Sequence, residues 1–239
     1  MTAVARVTAG SVDGGAGAAR SSTRDFVADY IRERIFEGDY PPYSRIPQDE
    51  VAAAVGMSRI PVREALVSLE AEGYVSMPTN RGAFVVPYSA YDLRCAFELR
   101  GFVTGMAARR AASRDNTELV KALDAIVAEL RKAVDPDAFI PLTSRFHDLL
   151  FEAGGSPRLV AAQRRMHNIV PGNFYAVVPG TMDAARIGYR EEVKAQRDRD
   201  PERALTAAIE ASVAQGDCLI RLLDERGQLV PDDSAAAPG

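Results

Sequence analysis

Arg59 and Arg63 stand four residues apart in Ser58-Arg59-Ile60-Pro61-Val62-Arg63-Glu64-Ala65-Leu66, the spacing that places two side chains on one helical face. A guanidinium is a planar fork of donors that matches the O6 and N7 acceptors of guanine, a contact that discriminates bases by about 1 to 3 kcal/mol. On an ordinary surface helix the same two arginines would be solvated and silent. Context decides between these readings. Val62, Leu66 and Leu69 fall on the inward face, Ser58 is an N-cap, and Pro61 lies in the first turn, where a missing N–H costs nothing. Catalytic groups are scarce by comparison. With two histidines and two cysteines, the chain shows no Ser-His-Asp or Cys-His set, no phosphate-binding glycine loop and no cluster of metal ligands. No catalytic residue is assigned, and the chain reads as a protein that is not an enzyme.

The elements that must position this helix are legible around it. Phe26, Val27, Tyr30, Ile31, Arg34 and Ile35 place apolar groups at helical spacing after Ser22 or Thr23 as N-cap, and Gly38 ends that helix. Tyr40-Pro41-Pro42-Tyr43-Ser44 forms a fixed turn. A short helix follows over residues 48–55, with Val51, Ala52 and Val55 inward and Gly56 as its stop. The arginine-bearing helix runs from Ser58 to Gly73, after which residues 74–77 and 83–86 read as two strands around a tip at Pro78-Thr79-Asn80-Arg81-Gly82. Three helices and a hairpin in this order form a winged helix-turn-helix, which presents its last helix to a DNA major groove.

The fold class expected is mainly α, an N-terminal winged helix-turn-helix followed by a C-terminal all-helical bundle. Residues 1–21 are small and glycine-rich and read as a disordered tail. The head occupies residues 22–87, a helical domain of about six helices occupies residues 88–227, and residues 228–239 form a flexible tail. The bundle is punctuated by Ser89, Asn116, Asp135-Pro136, Ser156-Pro157, Pro179-Gly180 and Asp200-Pro201. Val86-Pro87-Tyr88-Ser89 reads as the hinge between the two parts. No run is apolar for the roughly 20 residues that span a bilayer, and no secretory leader is visible, so a cytoplasmic protein with no membrane partner is expected. Cys95 and Cys218 read as reduced packing residues. The net charge of −4 means that nucleic-acid affinity must come from local arginines. Residues 1–88 hold nine Arg, no Lys and eleven acidic groups, so non-specific attraction is modest and binding calls for two heads acting together.

The runs Pro41-Pro42-Tyr43-Ser44-Arg45-Ile46-Pro47, Ser58 to Leu66, Leu69-Glu70-Ala71-Glu72-Gly73-Tyr74-Val75 and Asn80-Arg81-Gly82-Ala83-Phe84-Val85 resemble the DNA-binding domain of GntR-family transcription regulators. The helical remainder is similar to the effector domain of the FadR subfamily, called FCD, through Asp92-Leu93, Phe97-Glu98-Leu99-Arg100, Arg145-Phe146-His147 and Gly154-Gly155-Ser156-Pro157-Arg158-Leu159. The resemblance implies a homodimeric regulator, by family habit a repressor, that reads a pseudo-palindromic operator in double-stranded DNA and responds to a small-molecule effector. It implies base contacts from Arg59 and Arg63, phosphate contact near Arg45, DNA contact at Ser58, and a wing tip at Arg81 and Gly82. One departure is Ile60, where family members commonly carry Thr. An alternative is a regulator whose helical domain only dimerises and binds no effector.

Many proteins of this kind hold a divalent metal through an Asp and His in D-x-x-x-H spacing and two later histidines. Here His147 alone is kept. Thr143 occupies the Asp position, Tyr189 the next His position, and Ser212 or Ala211 the last; His167 lies on another helix. A hydroxyl and a phenol are poor divalent-metal ligands at neutral pH, so no metal and no other cofactor is expected. Arg100, Thr143, His147, Tyr189 and Asn173 are instead candidates for an effector pocket. An arginine directed into a bundle needs an anionic partner, either a neighbour such as Glu98 or a carboxylate effector. Pro171-Gly172 should break its helix, which makes Asn173 and Tyr175 secondary pocket candidates.

Overall fold

The computed structural model describes residues 16–167 and 173–232. Helix α1 (Ala16–Glu37) begins six residues before Ser22, so the expected caps Ser22 and Thr23 lie inside it. Ala16, Ala18 and Ala19, strong helix formers, carry the extra turn and a half. The expected tail therefore shortens at its C-terminal end, and residues 1–15 lie outside the described part. Helix α2 (Gln48–Val55) ends at Gly56, which adopts the left-handed φ of 68° that a residue without Cβ takes at no cost. Helix α3 (Arg59–Ala71) buries Val62, Ala65, Leu66 and Leu69, and these pack with Val27, Ile31, Ile35, Ile46 and Val51 in one core. Strands β1 (Val75–Ser76) and β2 (Phe84–Val85) pair antiparallel. They are shorter than expected, but β2 gains a partner on its other edge. Ser44 accepts from the Val85 amide at 2.9 Å, and the Ile46 amide donates to Ala83 at 2.9 Å, so residues 43–46 act as a third strand of the wing.

Strand β3 (Tyr88–Ser89) leads into helix α4 (Ala90–Ala112), whose start is closed by a reciprocal cap: the Asp92 amide donates to Ser89 Oγ and the Ser89 amide donates to Asp92. Helices α5 (Thr117–Leu130), α6 (Pro136–Gly154), α7 (Pro157–His167), α8 (Phe174–Val177), α9 (Thr181–Arg197) and α10 (Pro201–Glu225) complete the bundle. Among the described residues it has seven helices, one more than expected, the extra being the single turn α8. The break expected at Pro171-Gly172 lies outside the described residues.

Helix α10 packs along α4. A Cβ on Gly101 would lie 2.7 Å from Ile209 Cα, so glycine is what lets the two axes approach. Buried side-chain amides tie the layers together. Gln196 donates to Ala108 O at 2.8 Å and accepts from Asn116 Nδ2 at 3.1 Å, linking α4, α9 and the start of α5. Asn116 thus bonds across the bundle and not to its own helix, where it makes no side-chain cap.

Two expectations about the chain's joints need correction. The stretch read as a hinge is clasped: β3 pairs in parallel with β4 (Leu229–Val230), inside the segment expected to be a loose tail. Tyr88 stacks on Phe36 at 6.2 Å and meets Tyr74 edge-on at 5.9 Å. Arg226 donates to Phe36 O at 3.0 Å and the Tyr91 amide donates to Asp232 at 3.2 Å. The backbone donors and acceptors of Tyr88 and Ser89 needed partners, and the chain's C-terminal end supplies them. Ending the chain after Arg226 is expected to leave the helical bundle folded while exposing residues 86–89. Limited proteolysis followed by mass spectrometry would read this as new cleavage between the two domains, and an unchanged digest would dismiss the clasp.

Candidate nucleic-acid interface and effector site

The arginines of the head stand free of the core. Arg45, Ser58, Arg59, Arg63 and Arg81 are all exposed, while the apolar face of α3 beneath them is sealed. Ser58 occupies the N-cap position with extended backbone, but its hydroxyl makes no capping bond, contrary to its expected role as a cap. The amides that open α3 and this hydroxyl therefore remain as anion donors at a helix N-terminus. Arg59 forms an ion pair with Asp49 at the start of α2, both side chains well exposed. Ile60 is 69% exposed in the first turn of the same helix, an apolar group of the kind that meets a thymine methyl.

The wing tip turns at Asn80 and Gly82, with φ values of 61° and 92°. Gly82 has a second reason to lack a side chain: a Cβ there would lie 2.9 Å from Arg45 Nε and 3.2 Å from its Nη2. The Arg45 guanidinium is laid across the glycine, which unites two residues 37 apart in sequence on the wing. Asp49 opposes this basic surface and competes for Arg59. Its replacement in Asp49→Asn removes a like charge from the approach of phosphate and frees Arg59, and is expected to tighten duplex binding by about two- to fivefold, because an exposed pair holds with under about 1 kcal/mol. Fluorescence anisotropy on one labelled duplex would measure it, with unchanged or weaker binding as the failing result.

In the bundle, the expected pocket residues divide. Tyr189 is 1% exposed and gathers the others around it. Phe146 stacks on it at 4.4 Å and His147 meets it edge-on at 5.5 Å. Tyr175 donates to Gln215 Oε1 at 3.1 Å, which uses its only proton, so the Tyr189 hydroxyl donates to the Tyr175 oxygen at 3.3 Å and keeps its own lone pairs. Burial pushes the Tyr189 phenol well above the usual range, with Tyr175 next to it adding to the effect. Asn173 precedes Phe174 and Tyr175 at the start of α8, and its Oδ1 is buried without a hydrogen-bond partner among the described residues. Arg100 is half-buried over the Phe97 ring at 5.7 Å, and its Nη1 is likewise unpartnered.

Thr143 is brought to the same face of α6 as His147, one turn away, but its hydroxyl donates to Ile140 O at 2.9 Å. Ser212 donates to Phe97 O at 2.8 Å. Of the four positions where the resemblance implies metal ligands, Thr143 is committed to a backbone carbonyl, Tyr189 is a phenol held in its protonated form, and the last is either Ser212, likewise committed, or Ala211, which has no donor. This donor set does not fit a divalent cation, and no group of three or more His, Cys, Asp or Glu that could hold a metal occurs among the described residues.

The carboxylate facing Arg100 is not Glu98, which is exposed. It is Glu192 on α9, 2% exposed. Burial raises its carboxyl to about 8, and Arg100 pulls the other way. Its Oε2 is buried and unpartnered among the described residues, and no N···O distance of 4.0 Å or less joins it to Arg100. The sequence contained a signal for this residue. Ala185, Gly188, Tyr189, Glu192, Val193 and Gln196 form the inward stripe of α9 at i, i+3, i+4, i+7, i+8 and i+11, and one carboxyl group sits in that stripe.

Compared with known proteins, residues 23–85 match the bacterial regulatory proteins of the gntR family and residues 95–211 match the FCD domain. A Mycobacterium tuberculosis protein named as an uncharacterized HTH-type transcriptional regulator is 31% identical over 216 residues, 90% of this chain and 88% of that one. The chain belongs to the GntR family. It is a DNA-binding transcription regulator with an FCD effector-type domain. A relative from Paenarthrobacter nicotinovorans, 28% identical over 77% of this chain and 83% of its own, is named as a probable D-xylose utilization operon transcriptional repressor. The solved Escherichia coli protein McbR/YncC shares the fold with a TM-score of 0.58 at 20% identity, covering 87% of this chain and 98% of that one. Family and relatives are regulators and not enzymes by name, and no described helix is long and apolar enough to cross a membrane.

Proposed function

We propose that this GntR protein is a cytoplasmic homodimeric repressor that reads a pseudo-palindromic operator and is released from it by a small carboxylate bound in its FCD domain. The observation that carries the reading is the basic first turn of α3: Ser58, Arg59 and Arg63 are exposed above a sealed core, with Arg45 laid over Gly82 on the wing. Arg59 and Arg63 read base edges, Ile60 meets a thymine methyl, and Ser58, Arg45 and Arg81 hold phosphates. Two heads are needed because the head's excess of acidic groups leaves little non-specific attraction. A selection of bound duplexes from a random library tests this directly. The expected product is an inverted repeat whose half-sites are centred about one helical turn apart. A single unrepeated site would overturn the dimeric reading, and release by no small carboxylate would overturn the effector.

The unpartnered Nη1 of Arg100 supports the effector, since a buried guanidinium without an anion is costly and a carboxylate relieves it. It also counts against a domain that only dimerises. The effector acts by population shift: it must favour one arrangement of the heads by the same free energy with which it alters operator affinity. Helix α10 spans the distance, with Gln215 bonded to Tyr175 in the interior and Arg226, beyond its end, bonded to Phe36 of the head. No tightly bound metal takes part. Protein purified from medium supplemented with zinc, manganese and nickel is expected to carry well under one equivalent by elemental analysis. A stoichiometric metal removed only by chelator would refute this.

A further inference from the structure

Between α4 and α9 lie two ionisable side chains, the half-buried Arg100 and the buried Glu192, that do not touch. Arg100 and Glu192 each keep one buried polar atom without a partner among the described residues, and no ion pair joins them. Glu192 and Tyr189 share a face of α9, and Arg100 acts electrostatically on both. The acceptors therefore lie together: Glu192 Oε2 and the free lone pairs of the Tyr189 oxygen. The one orphaned donor beside them is Arg100 Nη1. Aromatic rings flank the acceptor side, with Phe146 and His147 against Tyr189 and Phe139 against Tyr175 at 5.0 Å.

We infer that this site takes a zwitterionic α-amino acid, its carboxylate on Arg100 and its ammonium on Glu192 and the Tyr189 oxygen. The inference rests on the carboxylate-effector reading above and adds the second charge. A ligand carrying one anion and one multi-donor cation supplies a partner to both orphaned atoms, whereas a simple carboxylate satisfies Arg100 and leaves the buried Oε2 of Glu192 without one. The groups shown to bear on Glu192 are Arg100 from α4 and Tyr189 on its own helix, and Arg100 is the cation of the two. Before binding, the raised carboxyl of Glu192 holds a proton at neutral pH. An arriving ammonium favours the ionised form, so binding releases that proton to solvent.

The test uses the full chain with the proteinogenic L-α-amino acids and the matched 2-hydroxy acids, such as L-alanine against L-lactate. Thermal shift finds the ligand, and calorimetry at pH 7 in phosphate and in Tris reads the proton. The expected result is an amino acid whose hydroxy analogue binds at least about tenfold more weakly, the worth of one charge-assisted hydrogen bond. Its heat should depend on the buffer. Glu192→Gln, which keeps the shape of the neutral form, should lose about tenfold in affinity and the buffer dependence. Equal binding of hydroxy acid and amino acid by the natural chain would overturn the zwitterion and leave the carboxylate effector standing. If neither class binds, both readings fall. The comparison of ligands needs no variant, so a misfolded Glu192→Gln does not decide it.

Discussion

Arg59→Ala is expected to weaken operator binding by roughly 2 to 6 kcal/mol per dimer, at least about thirtyfold, because each of two heads loses a bidentate base contact worth about 1 to 3 kcal/mol. The loss should be confined to the selected operator. A scrambled duplex of equal length, held by phosphate contacts, should be bound nearly as before, and operator binding by the variant should keep almost its full salt dependence. Arg81→Ala should do the reverse, weakening both duplexes alike and lowering the salt slope by about one charge per head. Fold stability is a clean control, since the Arg59 side chain is 71% exposed and its ion pair to Asp49 is a surface one. Titrations of the two duplexes at several salt concentrations separate these outcomes. An equal loss on operator and scrambled duplex would move Arg59 from base reader to phosphate clamp.

The head was legible because its signals are local. Pro61 in a first turn, Gly56 as a stop, and the Val62, Leu66, Leu69 stripe each act within a turn or two of helix, and α2 appears at its expected bounds. Gly82 illustrates the limit of that reading. Its positive φ could be expected at a hairpin tip, but its contact with Arg45 depends on the wing's third strand, a pairing across 37 residues that no local pattern carries. The same limit hid the clasp. Leu229-Val230 follows Gly227 and Gln228 near a polar end of the chain and looks like fraying, yet its partner lies at Tyr88-Ser89.

The bundle was read correctly in type and less well in its chemistry. Arg100 suggested an anion, and the search for one along its own helix found Glu98, which faces solvent. The carboxyl that Arg100 acts on, without touching it, is Glu192 one helix over, because in a helical bundle the nearest side chains to an inward residue belong to neighbouring helices. Thr143 and Ser212 show the converse. Their spacing matched the family's ligand positions, but each hydroxyl is taken by a backbone carbonyl: Thr143 by Ile140 O in its own helix and Ser212 by Phe97 O across the contact between α10 and α4.

Glu192 has a consequence that needs no ligand. Its carboxyl titrates near 8 in the folded chain against an ordinary value of 4.5, so between those pH values the folded state holds a proton that the unfolded state has lost. Stability from this group is therefore complete below about pH 4.5 and falls as pH rises through 8. The two values lie about 3.5 pH units apart, and at about 1.4 kcal/mol per unit the loss is on the order of 5 kcal/mol by pH 9. Glu192→Gln carries no charge at any pH and escapes it. Melting temperatures of the two proteins should run close together at pH 5 and separate by about 10 °C at pH 9, with the variant the more stable. Other titrating groups shift both curves alike and cancel in the difference. Parallel curves across this range would place the Glu192 carboxylate in contact with solvent or with Arg100 and remove the charge gap on which the zwitterion site is built.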